Sequence, residues 1–218
     1  MAIRKGARGA IIAGLCASTT ILASCTGFSG EPSQSSTAAL SGNAPPITAQ
    51  ERQTGAEAHT QIVQEFGGGY TGPVSQYVED VARKVAVESG LAANRDAFTV
   101  TFLNSGVNNA FAVPGGYIYM TRQLATLAGD EAQMAGVLGH EVGHVAANHS
   151  AQQYTSQTLA TLGLAVGGAV FEDLAPFLGA AQTGLQLLFL KYGRDDETQS
   201  DTLGVKYATL AGYEAAEG

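Results

Sequence analysis

Cysteine is nearly missing from this chain. Its 218 residues include two, Cys16 and Cys25, both close to the N-terminus. Everything after them therefore has neither a disulfide framework nor a cysteine nucleophile. Positive charge is also scarce. Eleven Lys and Arg stand against 19 Asp and Glu, a net charge of −8. Arg4, Lys5 and Arg8 are the only charges before Cys25, so removing residues 1–24 leaves −11. A surface that acidic, without a basic patch, excludes nucleic acid as a partner. Long apolar runs are lacking as well. Residues 154–171 carry no formal charge but include Thr155, Ser156, Gln157, Thr158 and Thr161, so they do not read as a membrane span. Gly67-Gly68-Gly69 is followed by no Lys-Ser/Thr, which excludes a phosphate loop and leaves a turn.

Histidine is rare too, and its placement is informative. Three of the four histidines, His140, His144 and His149, lie in one stretch. Residues 130–149 contain no proline and many helix formers, so they predict a helix. On it, His140 and His144 stand one above the other, ~6 Å apart along the axis. Two imidazoles at that spacing hold one metal ion from one side. Glu141, about 100° round from His140, reaches toward water at that ion. This is the His-Glu-x-x-His pattern of zinc peptidases. Met134, Leu138, Val142 and Val145 mark a core face. Gly136, Gly139 and Gly143 form a second stripe beside the histidines. Interior helix glycines cost ~1 kcal/mol each relative to alanine, so the stripe predicts a second backbone packed close by.

The rest follows in chain order. Residues 1–24 read as an export signal: a basic start, then a short apolar run. That run ends in Leu22-Ala23-Ser24-Cys25, which resembles a bacterial lipobox and makes Cys25 the candidate lipidation site. Thr26 stands where an aspartate is associated with inner-membrane retention, so the resemblance implies an outer-membrane lipoprotein facing the periplasm. Residues 25–47, rich in Ser, Thr, Gly and Pro, read as a flexible tether. Helices are expected over 48–66 and 73–89, the second burying Val74, Tyr77, Val78, Val81 and Val85. His59, on the first, reads as a surface residue. Residues 98–103 alternate as a strand. Asn109 to Thr121 reads as two short strands around Pro114-Gly115-Gly116. A strand abutting proline is an edge strand, and its open edge, Asn109, Ala110, Phe111 and Ala112, suits an extended peptide. Another helix is expected from His149 to about residue 161, and residues 160–190 as packed helices and a loop covering the cleft. Glu197 and Asp201 share a helical face, and on spacing alone are an acidic pair at a helix start.

These features occur together and in order: Asn109-Ala110-Phe111 with Pro114-Gly115-Gly116, then His140-Glu141-x-x-His144, then Glu197-x-x-x-Asp201. The set resembles the HtpX- and BepA-like zinc metallopeptidases, whose catalytic domain is shared with the CAAX prenyl endopeptidases. The resemblance implies an α+β, zincin-like fold over residues 48–218, mainly helical, with a small sheet whose edge strand flanks the active-site helix. Relatives continue with a downstream His-Pro segment near the cleft, so the resemblance implies that these 218 residues are a fragment or a C-terminally incomplete domain. In that family the third zinc ligand is a glutamate four residues before an aspartate. The carry-over makes Glu197 a ligand beside His140 and His144, and makes Asp201 the support of a zinc histidine. His149, roughly 180° from His140 on a continuous helix, is rejected as a ligand and expected to hydrogen-bond locally.

The resulting expectation is one Zn²⁺ per chain, Glu141 as general base and then proton donor to the leaving amine, and peptide bonds as substrate. Unfolded or misassembled envelope proteins are the expected substrates, and a lipid on Cys25 the membrane contact. No second oxyanion donor is assigned, because Tyr117 and Tyr119 read as sheet packing. The alternative is a non-catalytic, lipid-anchored zinc-binding chaperone or scaffold. An intact Glu141 argues against it, since binding zinc does not require that residue.

Overall fold

A computed structural model of the chain describes residues 34–150, 152 and 192–214. The expected export signal, the lipidation site Cys25, the helix after residue 152 and the 160–190 cover lie outside them. The described part is α+β: six helices and one three-stranded mixed sheet. Helices are α1 (Gln34–Leu40), α2 (Ala49–Glu65), α3 (Pro73–Val87), α4 (Arg122–Ala125), α5 (Glu131–Ala146) and α6 (Arg194–Leu210). Strands are β1 (Thr99–Leu103), β2 (Ala110–Val113) and β3 (Tyr117–Thr121), in the order β1-β3-β2. Strand β3 runs parallel to β1 and antiparallel to β2. None of the described helices is long and apolar enough to cross a membrane.

Alternation along the strands sorts side chains into two layers. Val100, Phe102, Ile118 and Met120 face α3 and α5, meeting Val78, Val81, Val85, Leu138 and Val142. Leu103, Phe111, Val113 and Tyr119 face the other way, onto Ala58 and Ile62 of α2. The sheet is thus covered on both faces. Helix α2 starts where Thr48 and Glu51 cap each other reciprocally: Glu51 N–H donates to Thr48 Oγ1 at 3.2 Å, and Thr48 N–H to Glu51 Oε2 at 2.7 Å. The β2–β3 turn needs its glycines. Gly115 and Gly116 have φ of +99° and +88°, and a Cβ on Gly115 would lie 2.4 Å from the Glu51 carbonyl oxygen.

Three expectations change. Residues 34–47 are not free tether: α1 forms there, Ala39 and Ala44 are buried in the main core, and Lys206 Nζ donates to the Leu40 carbonyl at 2.7 Å. Small alanines fill shallow sites that a Ser/Gly/Pro-rich composition conceals. On α3, Val78, Val81 and Val85 are buried, but Val74 and Tyr77 are exposed. Val74 belongs to the first turn, and Tyr77 opens the second, its hydroxyl donating to Glu131 Oε2 at 2.9 Å instead of packing. Lastly, α5 stops at Ala146, so His149 is not on it. Asn148 takes φ +59°, the left-handed conformation that ends helices.

The glycine stripe of α5 meets α6, as expected for a second backbone. A Cβ on Gly139 would stand 2.8 Å from the Gly204 carbonyl oxygen, and one on Gly204 2.7 Å from the His140 nitrogen. Around Gly143 the nearest atoms belong to Leu203 and Ser200, whereas a Cβ on Gly136 meets nothing within 4 Å. Opposite outcomes follow for the same substitution. Gly139→Ala is expected to lose about 1–3 kcal/mol, since backbone must move. Gly136→Ala is expected to gain about 1 kcal/mol from helix propensity. Urea unfolding of the two variants checks this.

Candidate metal centre

The α5–α6 contact faces His140 and His144 toward Glu197. Asp130 starts α5 by accepting from Gln133 N–H at 2.8 Å, which fixes the phase of the helix. Helix α6 starts at Arg194, so Glu197 and Asp201 both lie on its first two turns. His140 Nε2 and His144 Nε2 are 3.0 Å apart. Glu197 Oε2 is 3.5 Å from the first and Oε1 is 3.7 Å from the second. One donor atom from each of the three residues falls within 4.8 Å of the others.

Do these donors fit a metal ion? Ligand atoms ~2.0–2.1 Å from a tetrahedral centre stand about 3.3 Å apart. The observed 3.0, 3.5 and 3.7 Å bracket that value. The other ring nitrogens are already engaged. His140 Nδ1 lies 2.8 Å from Asp201 Oδ1, and His144 Nδ1 lies 3.0 Å from His149 Nδ1. A neutral imidazole has one N–H. With that proton on Nδ1, each Nε2 turns a lone pair inward. Two lone pairs facing each other at 3.0 Å repel unless a cation lies between them. Two nitrogens and one carboxylate therefore make a donor set that fits a metal ion.

The surroundings tune each group. His144 is 4 % exposed, and burial, reinforced by His140 and His149, lowers its pKa to about 3. It is a neutral donor near pH 7. The Tyr192 ring stacks on it at 4.0 Å between centroids, and Ser150 Oγ lies 2.8 Å from the Tyr192 hydroxyl. Glu141 keeps some exposed surface, yet desolvation, with the Glu197 charge adding to it, pushes its carboxyl up to about 8. A dication beside it works the other way and favours the carboxylate. A cavity of ≈ 450 Å³ opens here, lined by Gly136, Val137, His140, Glu141, Asp201 and Val205.

The sequence-derived residues thus fall into groups. His140, His144 and Glu197 come together, Glu141 shares with His140 the lining of the adjoining cavity, and Asp201 touches His140. Ala110, Phe111 and Ala112 lie on β2 and Asn109 just before it; β2 is an edge of the sheet and packs on α5. The opposite edge is closed: Tyr70 N–H donates to the Phe102 carbonyl at 2.7 Å, and Asn104 N–H to that of Gly68 at 2.8 Å. Tyr119 is unsuited to hold an oxyanion, since it is fully buried with its hydroxyl 2.9 Å from His59 Nδ1. His149 hydrogen-bonds locally, as expected, although the choice of His144 as partner depends on the turn at Asn148. Tyr192, the other neighbour of His144, carried no spacing signal.

Comparison with known proteins agrees with this geometry. Residues 74–217 match Peptidase family M48. The chain belongs to that family. It is 25% identical over 150 residues to a putative beta-barrel assembly-enhancing protease of Vibrio cholerae, covering 65% of this chain and 31% of that protein. It is 25% identical over 167 residues to the mitochondrial metalloendopeptidase OMA1 of Schizosaccharomyces pombe, covering 75% of this chain and 48% of the other. To OMA1 of Arabidopsis thaliana it is 32% identical over 119 residues, 54% of this chain and 24% of that one. The chain thus spans between about a quarter and a half of the length of these curated relatives.

Without metal, the site makes stability depend on pH in a defined direction. Glu141 has a folded pKa of about 8 against an ordinary 4.5, so between those values the folded state holds the extra proton. Stability then falls as pH rises. His144, at about 3 against 6.5, acts oppositely, but only below 6.5. Between pH 6.5 and 8 the Glu141 contribution stands alone of the two. The urea midpoint of chelator-treated protein is expected to drop across that window, and Glu141→Gln is expected to remove the drop.

Proposed function

We propose that the chain is a zinc-dependent metalloendopeptidase of zincin-like architecture that hydrolyses peptide bonds of envelope proteins. The observation that carries this reading is the convergence of His140, His144 and Glu197 beside Glu141. Such an ion supplies, when bound, a Lewis acid that lowers the pKa of water from ~15.7 toward ~7 and polarises a carbonyl. The chain's own groups do the rest. Glu141 accepts the proton of the attacking water at its carboxylate and returns it to the leaving amine. Asp201 holds the His140 ring by accepting from Nδ1–H at 2.8 Å. This leaves Nε2 free to donate.

The substrate would bind as an added strand along β2. Thr121 N–H donates to the Asn109 carbonyl at 3.0 Å, and Asn109 N–H to Thr121 Oγ1 at 3.2 Å, so Asn109 faces β3. Alternation in an antiparallel pair then turns the N–H and C=O of Ala110 and Ala112 outward. Those groups are suited to bind an extended peptide across the cleft. The walls Val137 and Val205 would receive an apolar side chain next to the bond cleaved. The lipobox-like ending at Cys25 supports anchoring in the outer membrane of a bacterium, facing the periplasm. Unfolded or misassembled envelope proteins are then the substrates, and protein quality control is the role. The Vibrio relative's name, a beta-barrel assembly-enhancing protease, supports that setting.

Casein digestion with and without a chelator tests cleavage and metal dependence together. Glu141→Gln is expected to keep about one zinc per chain while losing roughly 10²–10⁴ in rate. A Gln variant as fast as wild type would sink this mechanism.

The strand reading is tested separately. Proline at position 112 removes one outward N–H and leaves the ladder to β3 intact, as edge strands tolerate. Ala112→Pro is expected to keep the urea midpoint and lower kcat/KM roughly three- to tenfold, the worth of one hydrogen bond.

A further inference from the structure

His149 is 1 % exposed, and the proposed mechanism does not use it. The left-handed Asn148 swings it off the end of α5 and back beneath His144. Its Nδ1 is 3.0 Å from His144 Nδ1, with Ser200 Oγ at 3.3 Å. Its Nε2 is 2.9 Å from Gln199 Oε1 and 3.7 Å from Asp196 Oδ1. It does not belong to the donor set of His140, His144 and Glu197. What it touches is the far nitrogen of one ligand and the helix that carries another.

These contacts order the protons. Gln199 Oε1 and Asp196 Oδ1 are both acceptors, so the His149 proton sits on Nε2. Its Nδ1 then has a lone pair. The shorter of its two contacts, 3.0 Å, is to His144 Nδ1, which fills it with an N–H; Ser200 Oγ stands farther off at 3.3 Å. That proton on Nδ1 leaves Nε2 of His144 bare and aimed at the metal position. The two ligand histidines are therefore held differently. His140 has an acidic partner, Asp201, that is 75 % exposed, whereas His144 has a buried imidazole, His149.

We infer that His149 is a positioning residue: backed by Gln199, it fixes the tautomer and ring orientation of His144 by accepting its Nδ1–H. The inference rests on the metal-centre reading. It ties the two helices together as well, because Gln199 lies two residues from Glu197. Partners of this kind are typically worth 10- to 100-fold in metal affinity.

The test uses the full chain, zinc affinity by chelator competition, and imidazole ¹⁵N shifts of the metal-free protein, which report the tautomer directly. His149→Phe keeps a ring of similar size but removes the acceptor. It is expected to weaken zinc binding 10- to 100-fold and to let His144 populate the Nε2–H tautomer. His149→Asn restores an oxygen close to the Nδ1 position and is expected to bind zinc within about threefold of wild type. Gln199→Leu, at a partly exposed site, covers the case in which the buried variants do not fold. It is expected to shift the His144 tautomer toward that of His149→Phe. Wild-type affinity and tautomer in a folded His149→Phe or in Gln199→Leu would overturn the inference. So would an Asn variant as weak as Phe, which would reduce His149 to packing. The tautomer is read without metal or substrate, so a failure of proteolysis in the Glu141→Gln assay remains a separate result.

Discussion

The structure depends on how closely two helices approach. Glu197 is 53 residues beyond His144, and chain connectivity alone does nothing to bring them together. The contact between Gly139 and Gly204 does. With no Cβ on either side, the backbones of α5 and α6 come near enough that a methyl group on Gly204 would overlap the His140 nitrogen. A carboxylate on a two-methylene stem then reaches both imidazoles. Leu203 and Tyr207, fully buried and one turn apart further along α6, anchor that helix in the main core. The burial that stabilises the domain also sets the width of the candidate metal site.

That coupling explains why glycine, the weakest helix former but proline, sits in the middle of two helices. Each costs ~1 kcal/mol of propensity. The return is geometric, since any larger side chain would separate candidate donors that need to stand about 3.3 Å apart to share one ion. Gly136 differs. It lines the cavity beside His140, with no atom near a would-be Cβ, so its small size leaves open volume.

Much of this was legible in the sequence, for identifiable reasons. His140, Glu141 and His144 follow from helical periodicity, because the helix is continuous through them. Pro114 marked β2 as an edge strand, and the glycine stripe announced the close partner. Glu197 was a different matter. Its spacing to Asp201 gave only an acidic pair, and the family resemblance supplied the role. What escaped turns on single backbone angles or on long-range packing. One left-handed residue, Asn148, converts His149 from the far side of a helix into the partner of a ligand. Tyr192 meets His144 by tertiary packing that no periodicity encodes. Val74 had the right spacing for the α3 core stripe, but it stands in the first turn of the helix and stays exposed.

Charge explains why a cation suits this place in an already acidic protein. Glu141, Asp196, Glu197 and Asp201 all border the site, and no Lys or Arg forms an ion pair with any of them among the described residues. Left to themselves these groups oppose one another: the Glu197 charge adds to the burial that holds the Glu141 proton on. Proton uptake relieves that strain, but a protonated Glu141 is no base. A dication relieves it differently, since it attracts Glu197, occupies the two inward lone pairs and favours ionised Glu141 at once. The same ion that completes the ligand set would therefore also arm the base. Under the proposed mechanism, binding and catalytic competence become one electrostatic event, with half-buried His140 facing the cavity.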